Sequence, residues 1–298
     1  MSGDSYGPVD INEMENAIDV FMQMGGYLFE TAASYGLERQ SEVRLASILK
    51  KICLRTQQKP KVITKIGNLP HVGQEMPQQW DAPFLLEQIN IANDIFGDLL
   101  GGILLHSPPK HCDIEYLLKI LSENLRTKGK KIGIALSTVT DLENKEIIKA
   151  IKNNKPDIVT LNFSLMDQRL NDVNGLKVIK ENVGEIWART VFNFGFIADP
   201  ELKIGLTDDH RNTWSKEQIQ AWRNGGRLFK ALASEFGTTT NSLAINFCME
   251  NQYINGVCLG MNSRREVLSN MLSAREELSK KMFNKVESLY AANTFFIK

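Results

Sequence analysis

The sequence predicts an α/β chain wound into a (β/α)8 TIM barrel. Two observations carry this. Seven short apolar runs, β-branched or leucine-rich and bounded by turn residues, alternate with longer segments of helical periodicity. The runs are near-continuously apolar, as parallel strands buried on both faces must be. Seven of them in 298 residues fit a barrel better than a doubly wound sheet.

The expected strands are residues 26–30, 61–65, 99–106, 131–137, 157–162, 185–190 and 256–259. Between and after them, helical patterns cover residues 12–24, 38–51, 83–96, 114–127, 141–152, 176–182, 216–235, 240–249, 264–273 and 279–289. Two starts carry capping-box signals: "TDLE" from Thr140 to Glu143, and "SKEQ" before the 216–235 helix. In such a box, hydroxyl and carboxylate satisfy the first free N–H groups of the helix. The longest irregular stretch, residues 193–214, is over-long for a βα loop and reads as a functional lid. No linker or low-complexity segment interrupts the pattern, so residues 1–298 are expected to form one domain.

Lys+Arg and Asp+Glu both number 35, so there is no bulk basicity to argue for nucleic acid and no acidic solvating tail. Four cysteines, Cys53, Cys112, Cys248 and Cys258, are scattered without a CxxC pair. That argues against a zinc ribbon, a redox motif or a disulfide framework, and for a reducing compartment. The N-terminus lacks the basic and apolar regions of a signal peptide, and the longest apolar run, "LLGGILL", is too short to span a bilayer. The expected location is the cytoplasm, with no membrane partner.

Barrel chemistry sits at the C-terminal ends of the strands. There, three apolar runs each close on a polar residue: Glu30 in "LFE", Lys65 in "VITK" and His106 in "ILLH". Tyr35 follows in the loop after Glu30. Singly, such a charge is usually solvated, such a histidine usually structural, and such a tyrosine a packing aromatic. Four in sequence order, three closing strands and one in the loop just beyond, are much less expected by chance. A phenol has a pKa near 10. A neighbouring ammonium is expected to pull it down, with Glu30 keeping Lys65 charged. Tyr35 could then protonate a carbonyl oxygen as hydride reaches its carbon. A metal-dependent hydrolase is a poor alternative: His106 and His111 lack ligand spacing, and His71 and His210 lie in loops.

The same residues resemble the aldo-keto reductase family, in particular its bacterial-type members, over nearly the whole chain. "FETAASYG" is similar to the family's F-D-T-A-x-x-Y-G, "VITKIG" to its strand-ending T-K, and "LLGGILLHSPP" to its strand-ending histidine followed by proline. "GKKIGIALST" is similar to G-K-I-R-x-I-G-V-S-N. "ARTVFNFGFI" and "DDHRNTWSKEQIQAW" resemble the approach to the large loop and the loop itself, and "GVCLGMNSRREVLSN" the last strand and its nucleotide-binding helix. The resemblance implies hydride transfer from NADPH, with NADH the alternative, to a small aldehyde or ketone. The cofactor would lie without a Rossmann fold, consistent with the absence of G-x-G-x-x-G after a strand.

Carried over by position, Tyr35 is the acid, Lys65 its partner, Glu30 the carboxylate and His106 the orienting group. Ser137, Thr138 and Thr160 fall at carboxamide-binding positions and Arg189 at a ring-stacking position. Gly260, Ser263, Arg264 and Asn270 fall where the adenosine phosphate and adenine are held. Arg264 and Arg265 favour a 2′-phosphate, while the adjacent Glu266 opposes it. Three departures stand out: Glu30 replaces Asp, Thr138 replaces Asn and Thr160 replaces Gln. Glu30 and Thr160 keep open a second reading, a nucleotide-binding regulatory or interaction protein with little or no turnover. No metal is expected.

The resemblance also implies one more strand ahead of "SGDSYGPVDINEMENAI". The resemblance therefore implies a barrel incomplete at its N-terminus, with seven strands, open edges at 27–30 and 256–259, lowered stability and weak cofactor binding. Within the chain, "TFFIK" at residues 294–298 could fill the gap. The sequence carries no code for the identity of the carbonyl or for oligomeric state.

Overall fold

A computed structural model describes residues 9–70, 77–137, 145–172, 174–205 and 209–297, with the side chain of residue 172 excepted. Seven strands form one parallel sheet in chain order: β1 (Leu28–Glu30), β2 (Lys61–Ile66), β3 (Leu100–His106), β4 (Lys131–Leu136), β5 (Ile158–Asn162), β6 (Glu185–Arg189) and β7 (Gly256–Val257). Among the described residues, no strand pairs with the outer edges of β1 and β7. The fold is an incomplete (β/α)8 barrel with a seam between these two strands.

The sheet is nonetheless curled. Ile63, Leu104, Ile158 and Trp187 form one buried cluster, and Leu28 from β1 and Cys258 just past β7 both pack against it. Residues from the two edge strands reach one cluster only if the sheet wraps around it. Small residues make room inside: a Cβ on Gly133 of β4 would collide with the Ile158 carbonyl of β5 and with the Leu104 side chain.

Eleven helices flank the sheet among the described residues: α1 (Ile11–Gln23), α2 (Gln40–Thr56), α3 (Ala82–Phe96), α4 (Ile114–Leu125), α5 (Lys145–Asn154), α6 (Arg169–Asp172), α7 (Gly175–Lys180), α8 (Lys216–Glu235), α9 (Thr240–Met249), α10 (Arg264–Ser273) and α11 (Lys280–Ala291). Several of their starts are capped by local side chains. Asp10 accepts from the Asn12 and Glu13 amides of α1, Asp113 from Tyr116 of α4, and Ser215 from Gln218 of α8, the last as the sequence signal requires. The other signal, at Thr140–Glu143, lies outside the described residues. A larger apolar cluster joins the helices to the outer face of the sheet. The first helix, α1, packs extensively against α10, near the other end of the chain.

Several boundaries differ from expectation. Helix α2 starts at Gln40 because Glu38 and Arg39 are left-handed, with φ of 49° and 58°. Arg39 holds that turn by an ion pair to the buried Glu42 and a 2.9 Å bond to Gln88 Oε1. Strand β7 is only two residues long, and the four-residue α6 is too short for periodicity to reveal. Strand β4 stops at Leu136, leaving Ser137 just beyond it. The stretch 193–214 contains two 3-10 turns, Asn193–Gly195 and His210–Thr213. The C-terminal segment does not fill the seam. Gln218 of α8 clamps it, donating to the Phe295 carbonyl at 2.8 Å and accepting from the Ile297 amide at 2.9 Å.

Candidate active site

Alternation along a strand decides which side chains enter the barrel. Leu28, Ile63, Leu104, Ile158 and Trp187 define the inner face. Two residues further along each strand stand Glu30, Lys65, His106, Thr160 and Arg189. The sequence therefore brings five of the expected site residues to one level of the barrel mouth.

Lys65 is the centre of the cluster. It is fully buried, ion-paired to Glu30, and donates to the Thr31 carbonyl at 2.7 Å. Its Nζ lies 4.6 Å from the centre of the Tyr35 ring. Burial pulls the ammonium toward its neutral form, but Glu30 and Tyr35 outweigh it, so Lys65 sits above its ordinary pKa and stays charged.

Tyr35 is half-buried in the loop after β1, with the loop backbone held at both ends. Ala33 N donates to the Lys65 carbonyl at 2.9 Å, and Ser41 N donates to the Tyr35 carbonyl at 3.1 Å. Its ring meets that of His106 edge to face, 5.8 Å between centres. One expectation is corrected here: the Tyr35 pKa is raised. Burial pushes it up, Lys65 pulls it down, Glu30 raises it again, and the balance stays above 10.0. The phenol in this site is a firmly protonated acid.

The β4–β6 side is different. Arg189 Nη2 donates to the Leu136 carbonyl at 2.7 Å, but Arg189 Nε and Thr160 Oγ1 are buried without a hydrogen-bond partner. Asn162 Nδ2 donates to the Ser137 carbonyl at 2.7 Å, tying β5 to the end of β4. Thr138 lies outside the described residues.

Gly260, Ser263, Arg264 and Asn270 are not part of the strand-end cluster; they belong to α10 and the segment before it. Gly260 is exposed, with open space where a Cβ would be. Ser263 Oγ accepts from the Glu266 amide at 3.2 Å as the helix cap, and Glu266 Oε2 accepts from the Asn262 amide at 2.7 Å. Arg264 is exposed. Asn270 is buried, its Oδ1 accepting from Asn241 Nδ2 at 3.1 Å.

Two neighbours of the cluster are absent from the sequence expectations. Cys258 occupies the inner face just past β7, and its thiol is pushed up to about 12 by burial and then by the Glu30 carboxylate. Ser34 Oγ lies 3.3 Å from His106 Nδ1. Strand parity could have found the first; nothing in a small-residue loop marks the second. Among the described residues, no three His, Cys, Asp or Glu side chains gather as a metal site, and no helix is long and apolar enough to cross a membrane.

Parallel strand–helix units around a Lys65–Glu30–Tyr35–His106 cluster define a barrel oxidoreductase of the aldo-keto type. The family model described as "Aldo/keto reductase family" matches residues 1–291, and the chain belongs to that family. No curated protein matches the sequence. Among solved structures, the chain is similar to the glycerol dehydrogenase AKR11B4 from Gluconobacter oxydans, at TM-score 0.75 and 16% identity, over 99% of this chain and 90% of that one. It is also similar to the holo form of aldo-keto reductase AKR11C1 from Bacillus halodurans, at TM-score 0.72 and 16% identity, over 100% and 92%. The family generally uses nicotinamide cofactors and acts on small carbonyl compounds.

Proposed function

We propose that this protein reduces an aldehyde or ketone to the alcohol by hydride transfer from NADPH, with Tyr35 as general acid. The observation that carries the reading is the buried Lys65 ammonium, paired to Glu30 and lying over the Tyr35 ring beside His106. In reduction, negative charge develops on the carbonyl oxygen. A fixed ammonium stabilises the phenolate left behind when Tyr35 gives up its proton. Glu30 keeps Lys65 charged, and the Thr31 carbonyl aims it.

The opposite side of the mouth suits a nicotinamide. Thr160 Oγ1 and Arg189 Nε are buried polar atoms without partners, a hydroxyl and a donor that a carboxamide would satisfy. The Arg189 guanidinium plane can stack on a ring. A bound reduced nicotinamide supplies the hydride. Ser137 and Thr138 would add carboxamide contacts, and Gly260, Ser263, Arg264 and Asn270 would line the adenosine end.

NADPH is favoured over NADH because Arg264 and Arg265, both exposed at the start of α10, can pair with a 2′-phosphate. The Glu266 carboxylate, which would repel it, is turned back onto the Asn262 amide. The four free cysteines suit a reducing, cytoplasmic setting.

The test is NADPH oxidation against aldehydes, ketones and keto-sugars, with NADPH and NADH titrated in parallel. The expected result is turnover with at least one carbonyl class and tighter binding of NADPH, lost on Arg264→Ala. Tight nucleotide binding with no turnover on any carbonyl would instead make the protein a nucleotide-binding regulator.

A further inference from the structure

We infer that Arg39 and Glu42 are positioning residues: their buried ion pair locks the turn that follows Tyr35 and so sets where the phenol stands against Lys65. The turn itself carries the first sign. Gly36, Glu38 and Arg39 all lie at positive φ, at 89°, 49° and 58°. Glycine adopts that region freely, but a glutamate and an arginine side by side do so at a cost in free energy. Such backbone persists only where the surroundings over-determine it.

Glu42 supplies that constraint. It is fully buried. Arg39 grips its carboxylate with both Nε and Nη2, the second at 3.1 Å. Thr64 Oγ1 of β2 donates to the same carboxylate at 2.5 Å. Arg39 Nη1 donates to Gln88 Oε1 of α3 at 2.9 Å. The pair therefore ties the turn to α3 and to β2, at the residue next to Lys65.

The tie reaches Tyr35 through Ser41, which lies between the two partners in sequence. Ser41 N donates to the Tyr35 carbonyl at 3.1 Å, and Ser41 Oγ lies 3.0 Å from Thr31 Oγ1. Thr31 is also the residue whose carbonyl accepts from Lys65 Nζ. Moving the turn would thus move the phenol relative to the ammonium, which lies 4.6 Å from the centre of the Tyr35 ring.

Stability does not account for the pair. Taking two charges out of water costs about what their attraction returns, and apolar residues of like volume often serve a fold as well. A two-nitrogen grip on a carboxylate adds geometry, because it fixes direction as well as distance. A catalytic group misplaced by about 1 Å can lose roughly 10²-fold in rate. The catalytic consequence rests on the carbonyl-reduction reading above; the placing of Tyr35 stands on the contacts alone.

The first experiment replaces the network by apolar side chains, Arg39→Met, Glu42→Leu and Thr64→Val together, which strands no buried charge. The melting temperature and NADPH affinity should stay close to the parent's, while kcat falls by about 10²-fold. Burial is the main cause that raises the Tyr35 phenol. Released from its seat, Tyr35 should titrate lower, toward the ordinary phenol value, in carbon NMR of ring-labelled tyrosine, with Tyr35→Phe to assign the signal. The second experiment uses Arg39→Gly, since glycine suits the left-handed backbone. Its kcat should fall likewise and be restored by added guanidinium ion, which should leave the parent unchanged. A triple variant that unfolds, that keeps the parent's kcat, or that leaves the Tyr35 titration unmoved overturns the proposal. So does an Arg39→Gly protein whose rate is undiminished or is not repaired by guanidinium. A parent that reduces no carbonyl would overturn the functional reading, while the Tyr35 titration would still decide the role of the pair.

Discussion

On the β1–β3 side of the barrel mouth, the polar groups answer one another. Lys65 is held by Glu30 and the Thr31 carbonyl, and His106 by Ser34. On the β5–β6 side, Thr160 Oγ1 and Arg189 Nε are buried with no partner; beyond the strand ends, the loops after β2 and β6 each hold one such atom, Asn68 Oδ1 and Asn193 Nδ2. Both sides lie on the same sheet at the same height. The contrast separates two tasks. A group that moves a proton gains from being fixed before the substrate arrives, since no reorganisation is then needed at the moment of reaction. A group that recognises a ligand gains from being left unsatisfied, since its bond is then made to the ligand.

The strongest way to break this contrast is Lys65→Met. It strands the Glu30 carboxylate in a largely buried site, and loss of one partner of a buried pair costs about 3–5 kcal/mol. Glu30 keeps 20% exposure, so the lower end is expected. The melting temperature should fall clearly and reduction should be lost; a variant as stable and active as the parent would remove Lys65 from the centre of the site. Tyr35→Phe should be gentler on the fold and nearly as severe on chemistry. General acids contribute about 10²–10⁴-fold, so kcat should drop in that range, with nucleotide binding measured by fluorescence titration unchanged.

Thr160→Val sharpens the other half of the comparison. Removing a buried hydroxyl without a partner should leave stability unchanged or raise it by about 1 kcal/mol. Affinity for NADPH should weaken a few-fold. A destabilised variant with unchanged affinity would mean that the hydroxyl serves the fold.

The smallest effect is in pH. Burial and Glu30 hold Tyr35 above its ordinary value against the pull of Lys65 and Arg189, so it keeps its proton into alkaline solution. The kcat/KM for reduction should stay level through neutral pH and fall only above about pH 10. An alkaline midpoint near pH 8 would contradict the raised phenol. Lys65 is also raised, so both groups bind protons more tightly in the folded chain. Their contribution to stability is full below about pH 10 and is lost as pH rises through the folded values.

Glu30, Lys65 and His106 are legible in the sequence because each is a polar residue closing an apolar run, and strand parity does the rest. The Tyr35 pKa is not legible in the same way. Its sign depends on how much of the loop is buried, and that is set by residues remote in the chain. Ser34 is hidden because a serine in a small-residue loop looks like a turn; Cys258 has only strand parity to mark it, since a cysteine among aliphatics looks like core. Asn270 is visible as a helix position, but only packing reveals that its amide faces Asn241. The parallel sheet and its order follow from the strand–helix alternation, whereas the seam is what the family resemblance implies. The two-residue β7 and the four-residue α6 fall below the length at which periodicity carries information.

The packing of α1 against α10 has a kinetic corollary. Each strand pairs with the next one in sequence, so the sheet can grow by short-range steps. The α1–α10 contact joins opposite ends of the chain, and the entropy of closing so long a loop makes it an expected late step. Contacts made after the transition state govern the unfolding rate and leave the folding rate nearly untouched. Truncating Ile18 on α1 or Val267 on α10, both fully buried, should steepen the loss of native protein in denaturant jumps. Refolding should proceed at the parent's speed. The helical layer would then act as a late latch across a sheet that stays open at its seam.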